Sequence, residues 1–245
     1  MMPVSVEIRR GTARFATRGE GLLSRHSFSF GAHYDPDNVG FGPLVVHDDH
    51  LARAGHGFGD HRHRDAEIVT WVLSGALDHR DIGDAGGAGG PASAGDRAVT
   101  VGPGEVQVQS AGSGITHAEV AATDGPVRFV QAWLTPDEPG AEPSYAVAPV
   151  SLPPGELVVV ASGHRPAPAR LGVASATFLV ARLGPGDTVT LPDEPRQHVF
   201  VGGGALSRSS LAEPLADGDA FRIVDHPGLE LTAAVPTELL VWSFR

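Results

Sequence analysis

Short runs of β-branched and aromatic residues, each closed by glycine or proline, set the limits on what this chain can become. Glu67-Ile68-Val69-Thr70-Trp71-Val72-Leu73 is the strongest of them, and Ser74-Gly75 ends it. Such runs, about four to eight residues long between turn formers, read as strands. No stretch of the first half repeats its apolar residues at the 3.6 spacing of a helix. With 32 glycines and 20 prolines available for turns, the pattern predicts an all-β chain of many short strands.

Taken in order, strands are expected at Ser27–Phe30, at Pro43–His47 ended by Asp48-Asp49, at 67–73, and at 76–81. Others follow at 99–101, 106–109, 117–120 and 127–134. Residues 83–96 are low-complexity and are expected to form a mobile surface loop. Thr135 to Pro154 is rich in proline and marks a boundary, giving domains at 1–137 and 138–245. The second half repeats the rhythm, with strands at 157–160, 177–181, 188–191, 198–201, 220–224, 229–232 and 239–244. Leu215-Ala216-Asp217-Gly218-Asp219-Ala220-Phe221 echoes Val101-Gly102-Pro103-Gly104-Glu105-Val106-Gln107, as a duplicated barrel would.

Two motifs carry chemistry. In Asp60-His61-Arg62-His63-Arg64 the two imidazoles share one face of a strand, because successive side chains alternate. The same parity aims His117 and Glu119 together in Ala111-Gly112-Ser113-Gly114-Ile115-Thr116-His117-Ala118-Glu119. If the two strands face each other across a barrel, three imidazoles and a carboxylate converge. That set suits one divalent first-row metal with positions left open. Each pair alone is weak among 12 histidines; the combination beside glycine-rich turns carries the weight. The second half has neither pair, so its barrel is expected to hold no metal.

Composition removes several alternatives. There is no cysteine, so disulfides, thiolate nucleophiles and sulfur-ligated metals are excluded. All 18 basic residues are arginine, which excludes Schiff-base lysines and the P-loop lysine. A net charge of −11 argues against nucleic acid as a direct partner. No apolar run approaches the roughly 18 residues of a membrane span, and the first ten residues lack signal-peptide order. A cytoplasmic chain, monomeric because two barrels already cover each other, is the expectation. Ser113 lacks the strand-to-helix elbow of a hydrolase nucleophile.

Several segments together resemble the pirin family of two-barrel cupins. They are His26-Ser27-Phe28-Ser29-Phe30, Tyr34-Asp35-Pro36, Gly57-Phe58-Gly59, Asp60 to Arg64, Glu67 with Thr70 to Gly75, His79-Arg80-Asp81, and the 111–119 motif. The likeness is dense over 20–135 and loose beyond 155. It implies a bicupin of two jelly-roll-like barrels, with one metal on His61, His63, His117 and Glu119. Iron(II) is the first choice, with manganese, nickel, cobalt, copper or zinc as alternatives. It also implies a quercetin 2,3-dioxygenase, which cleaves a planar flavonol with dioxygen and releases carbon monoxide. Glu119 is then the candidate base for the flavonol hydroxyl, and Phe28, Phe30, Phe41 and Trp71 are candidate walls for the ring, although core filling is the commoner role for each taken singly. The competing expectation is a non-catalytic iron-binding regulator that acts through a protein partner. Arg62 stands where the family usually has proline, Ala118 where it has serine, and Ala66 where a larger apolar residue is common.

Overall fold

The computed structural model describes residues 5–82, 97–207 and 214–245. The loop expected at 83–96 lies outside them. Among the described residues there is no α-helix, only a 3-10 turn at Gly11–Ala13.

Two seven-stranded sheets lie back to back. The first runs Ser144–Pro149, Glu105–Ser110, Glu67–Ser74, Val127–Leu134, Leu44–Ala52, Leu22–His26, Phe15–Gly19, every neighbour antiparallel. A four-stranded sheet, Gly57–His63, Ile115–Ala121, Leu77–Ile82, Arg97–Val101, closes over it to make a barrel. The second large sheet is built from Ala220–Val224, Arg196–Gly203, Thr237–Phe244, Ala176–Leu183 and Leu157–Ser162, with short edge strands. Thr188–Thr190 and Glu230–Thr232 cover its outer face. Pairing crosses the 137/138 division in both directions. Ser5–Arg9 joins Ala220–Val224 of the second barrel, and Ser144–Pro149 joins Glu105–Ser110 of the first.

Burial on both faces explains why Glu67–Ser74 reads as continuous apolar sequence rather than alternation. Val69 and Trp71 face the second sheet, where Trp71 meets Phe178 and Trp242 stacks on Phe178. Thr70 and Val72 face the barrel interior. Each large side chain fully buried in the shared layer contributes about 1.5–3 kcal/mol. A half-exposed inter-barrel pair such as Arg10–Asp219 contributes about 1 kcal/mol or less. The apolar layer therefore dominates the association of the barrels.

Three expectations change. Ser27–Phe30 is not a strand: the chain folds over there, with Ser29 Oγ donating to the Asp35 carbonyl and Phe30 bridging His33. Its alternation belongs to a loop in which the Ser29 hydroxyl satisfies the backbone at Asp35. The strand at 44 does not end at Asp48-Asp49 but runs to Ala52, because both carboxylates have partners. His26 Nδ1 lies 2.6 Å from Asp48 Oδ2, and Arg128 holds both oxygens of Asp49 at 3.0 and 2.9 Å. The boundary region carries the strand Ser144–Pro149.

The echo between the halves is structural. In each copy a glycine with positive φ, Gly104 or Gly218, turns the chain. The acid that follows caps an earlier amide: Glu105 Oε2 accepts from Gly102 N at 2.9 Å, and Asp219 Oδ2 from Ala216 N at 3.1 Å.

Candidate metal centre

The two motif strands do not face each other across the barrel. They are adjacent in the four-stranded sheet, paired antiparallel with His117 opposite His61 and Ile115 opposite His63. A β-bulge between His117 and Glu119 breaks the register and places Glu119 against Phe58. Gly57 makes the bulge possible, since a Cβ there would lie 2.2 Å from the Glu119 carbonyl oxygen.

His61, His63 and His117 each offer a ring nitrogen to one cluster whose atoms lie within 4.8 Å of one another. His61 Nε2 and His117 Nε2 are 3.0 Å apart. The His61 Nδ1–H donates to the Gly59 carbonyl at 2.7 Å, leaving Nε2 with its lone pair toward the cluster. His63 Nε2 and His117 Nδ1 are buried without hydrogen-bond partners. Burial pushes both His63 and His117 down to about 4, which keeps the imidazoles neutral as ligation requires.

Glu119 belongs to an overlapping set with His117 and His79. It is fully buried, and Gln107 Nε2 donates to Oε1 at 3.0 Å while Gln131 Nε2 donates to Oε2 at 2.7 Å. Burial would raise this carboxyl, but the His79 contact, the nearby imidazole of His117 and the Gln131 hydrogen bond hold it down at about 2. His79 in turn lies between Glu119 Oε1 at 3.5 Å and Asp81 Oδ1 at 2.9 Å. Burial works against its charge, yet the Asp81 and Glu119 hydrogen bonds raise it to about 9. The donor set, three imidazoles of which His63 and His117 are held neutral and carry an unpartnered nitrogen each, with an ionised carboxylate beside them, fits a divalent first-row metal.

Of the four residues read from the sequence as ligands, His61, His63 and His117 form one cluster, and Glu119 joins a second that shares only His117 with it; most of the residues that support them carry no sequence motif. His79 was visible only as a surface or supporting histidine. Gln107, Gln131 and Trp133 come from the facing seven-stranded sheet and carry no motif. Trp133 packs edge-on to His63 with ring centroids 4.7 Å apart and donates to Gln131 Oε1 at 2.9 Å. Tyr145 stacks on His79 at 4.6 Å. Of the four aromatics weighed as pocket wall or core, Phe28, Phe41 and Trp71 take the core role, packing with Arg222, Phe244 and Phe178 in or against the inter-barrel core. Phe30 alone is near the site, edge-on to Trp133, while Phe58 lies beside His61. His26 has the carboxylate partner that its local sequence hides, Asp48, opposite it in the strand register.

The Pirin family model matches residues 9–134. A Mycobacterium tuberculosis protein provisionally named a quercetin 2,3-dioxygenase is 46% identical, over 100% of this chain and 97% of its own length. The protein named quercetin 2,3-dioxygenase in Escherichia coli is 29% identical over 97% of this chain and 98% of its own. Among solved structures, bacterial pirin YhhW from Escherichia coli in complex with nickel(II) superposes with a TM-score of 0.85 at 27% identity, covering 98% of this chain and 99% of that one. The likeness read from residues 20–135 thus extends over both barrels, and the chain belongs to the pirin family.

Proposed function

We propose that His61, His63, His117 and Glu119 hold one divalent metal ion and that the protein is a flavonol 2,3-dioxygenase. The observation that carries the reading is the meeting of three imidazoles, two of them held neutral by burial and each of those two with an unpartnered buried nitrogen, next to an ionised buried carboxylate. Relatives named quercetin 2,3-dioxygenase support the substrate class. Iron(II) and nickel(II) both suit the donor set, and nickel is the ion in the bacterial pirin complex.

When bound, such an ion supplies Lewis acidity and a route for electrons between flavonol and dioxygen. The chain's own residues do the rest. His61 is the one histidine of the cluster with appreciable exposure, so substrate approaches on its side, past Phe58. Glu119 accepts the proton of the flavonol 3-hydroxyl, and Gln107 and Gln131 hold its carboxylate in place. Trp133 and Phe30 give the planar rings an apolar flank. The ring then opens with uptake of dioxygen and loss of carbon monoxide, giving a depside.

The test is aerobic incubation of iron-, nickel-, manganese- or copper-loaded protein with quercetin, following flavonol absorbance and carbon monoxide. Turnover that falls by at least about 100-fold in Glu119→Gln is expected. No loss of flavonol with any metal would overturn the enzyme reading and favour the metal-dependent regulator.

A further inference from the structure

A second polar cavity, of about 90 Å³, lies where the amino-terminal segment passes from the sheet of the second barrel to that of the first. Arg9, Arg10 and Arg14 line it, together with Ser27, Asn38 and Asp35. It is remote in chemistry from the metal centre, sharing none of its ligands.

The donors of this wall outnumber their acceptors. The Arg14 side chain is 5% exposed, and its Nε and Nη1 have no hydrogen-bond partner. Its one hydrogen bond is from Nη2, at 3.2 Å from Asp49 Oδ2, an oxygen that Arg128 already holds at 2.9 Å, and its guanidinium lies 5.1 Å from the Phe200 ring centroid. Arg9 Nε is likewise unpartnered, as is the hydroxyl of the buried Ser27. The carboxylates that pair with the three arginines, Glu7, Asp219 and Asp49, are not part of the wall. Asp35 is the wall's one acid, and its Oδ1 accepts from Asp37 N. Asn38 is spent on Ser27 O and Arg222. Buried polar groups are almost always satisfied, and buried cationic donors most of all. The carboxylate partners leave these N–H groups unmet, and an oxyanion, with several acceptor oxygens on one centre, can take hydrogen bonds from more than one guanidinium at once.

We propose that this cavity binds a small oxyanion, a single phosphate or carboxylate group, between Arg9, Arg10 and Arg14. Arg10 also reaches Asp219 of the second barrel, and Arg14 reaches Asp49 of the first. The anion therefore sits on the segment that ties the two barrels, and binding stabilises their union.

Calorimetric titration of the full chain with inorganic phosphate and, separately, with acetate tests this, against chloride of matched ionic strength. Saturable binding at one site is expected, weakened at least about tenfold in Arg9→Gln and in Arg14→Gln. Bound anion should raise the thermal midpoint of the wild type. Binding of phosphate alone assigns the site to phosphate, and of acetate alone to carboxylates. Because Arg14 is buried, Arg9→Gln, at a half-exposed position, carries the test if Arg14→Gln does not fold. His61→Ala should bind the anion as the wild type does. No saturable binding of either anion below about 10 mM, equal affinity in Arg9→Gln, or loss of binding in His61→Ala would overturn the proposal.

Discussion

His61 Nε2 and His117 Nε2 lie 3.0 Å apart although 56 residues separate them in sequence. Two imidazole nitrogens at that distance share one proton between them or one cation. The His61 Nδ1–H is already committed to the Gly59 carbonyl, so its Nε2 is the acceptor of the pair. The bulge after His117 sets where Glu119 falls beside these rings, and the glutamine pair holds its carboxylate there.

The bulge gives the first prediction. At Gly57 a Cβ would lie 2.2 Å from the Glu119 carbonyl oxygen and 2.8 Å from Val120 Cα. Gly57→Ala should cost about 1–3 kcal/mol by forcing the two strands apart, and bound metal should fall with it. Urea unfolding with parallel metal analysis measures both. Wild-type stability and metal content in this variant would mean that the pairing is looser than described.

Gln131→Leu removes the shorter of the two amide donors to the buried Glu119 carboxylate, at 2.7 Å. Loss of a hydrogen bond to a charged group costs about 1.5–3 kcal/mol, and loss of such an outer partner typically lowers metal affinity about 10- to 100-fold. Stability and metal affinity should therefore both drop. The same residue accepts from Trp133, so a change in indole fluorescence should accompany the loss.

A pH prediction comes from between the barrels. His47 and His198 are fully buried, their ring centroids 4.7 Å apart, and no ring nitrogen of either has a hydrogen-bond partner. Burial lowers His47 to about 3, with Arg14 and Arg222 pushing the same way and Asp49 opposing. His198 is lowered well below its usual value by burial, His47, Arg222 and Arg14. Unfolded, each binds a proton near pH 6.5; folded, neither does until far lower. Their share of stability is thus intact above about pH 6.5 and is lost as pH falls toward 3, at up to about 1.4 kcal/mol per pH unit for each group. Urea unfolding between about pH 7 and pH 5 should show a shallower decline in His47→Leu. An unchanged slope would show that His47 is not held neutral.

The sequence disclosed the candidate ligands because strand parity is local: His61 with His63, and His117 with Glu119, follow from alternation alone. Which strands would be neighbours was not local, so an arrangement across the barrel was expected where adjacent pairing occurs. Gln107, Gln131 and Trp133 were invisible for the same reason. They reach the site from another sheet, and amide and indole groups have no ligand signature. Asp48 and Asp49 read as a strand end because their partners, His26 and Arg128, are distant in sequence. Trp71 and Phe28 read as core more readily than as pocket wall, and the second barrel's sheet, which decides between them, lies more than 100 residues downstream.

Metal analysis of protein purified without chelator, in the wild type and in His61→Ala, tests the central claim most directly. One equivalent of a first-row divalent metal in the wild type, lost in the variant while the fold is retained, is the predicted result. A wild type that takes up no metal, or a variant that keeps its full equivalent, would contradict it.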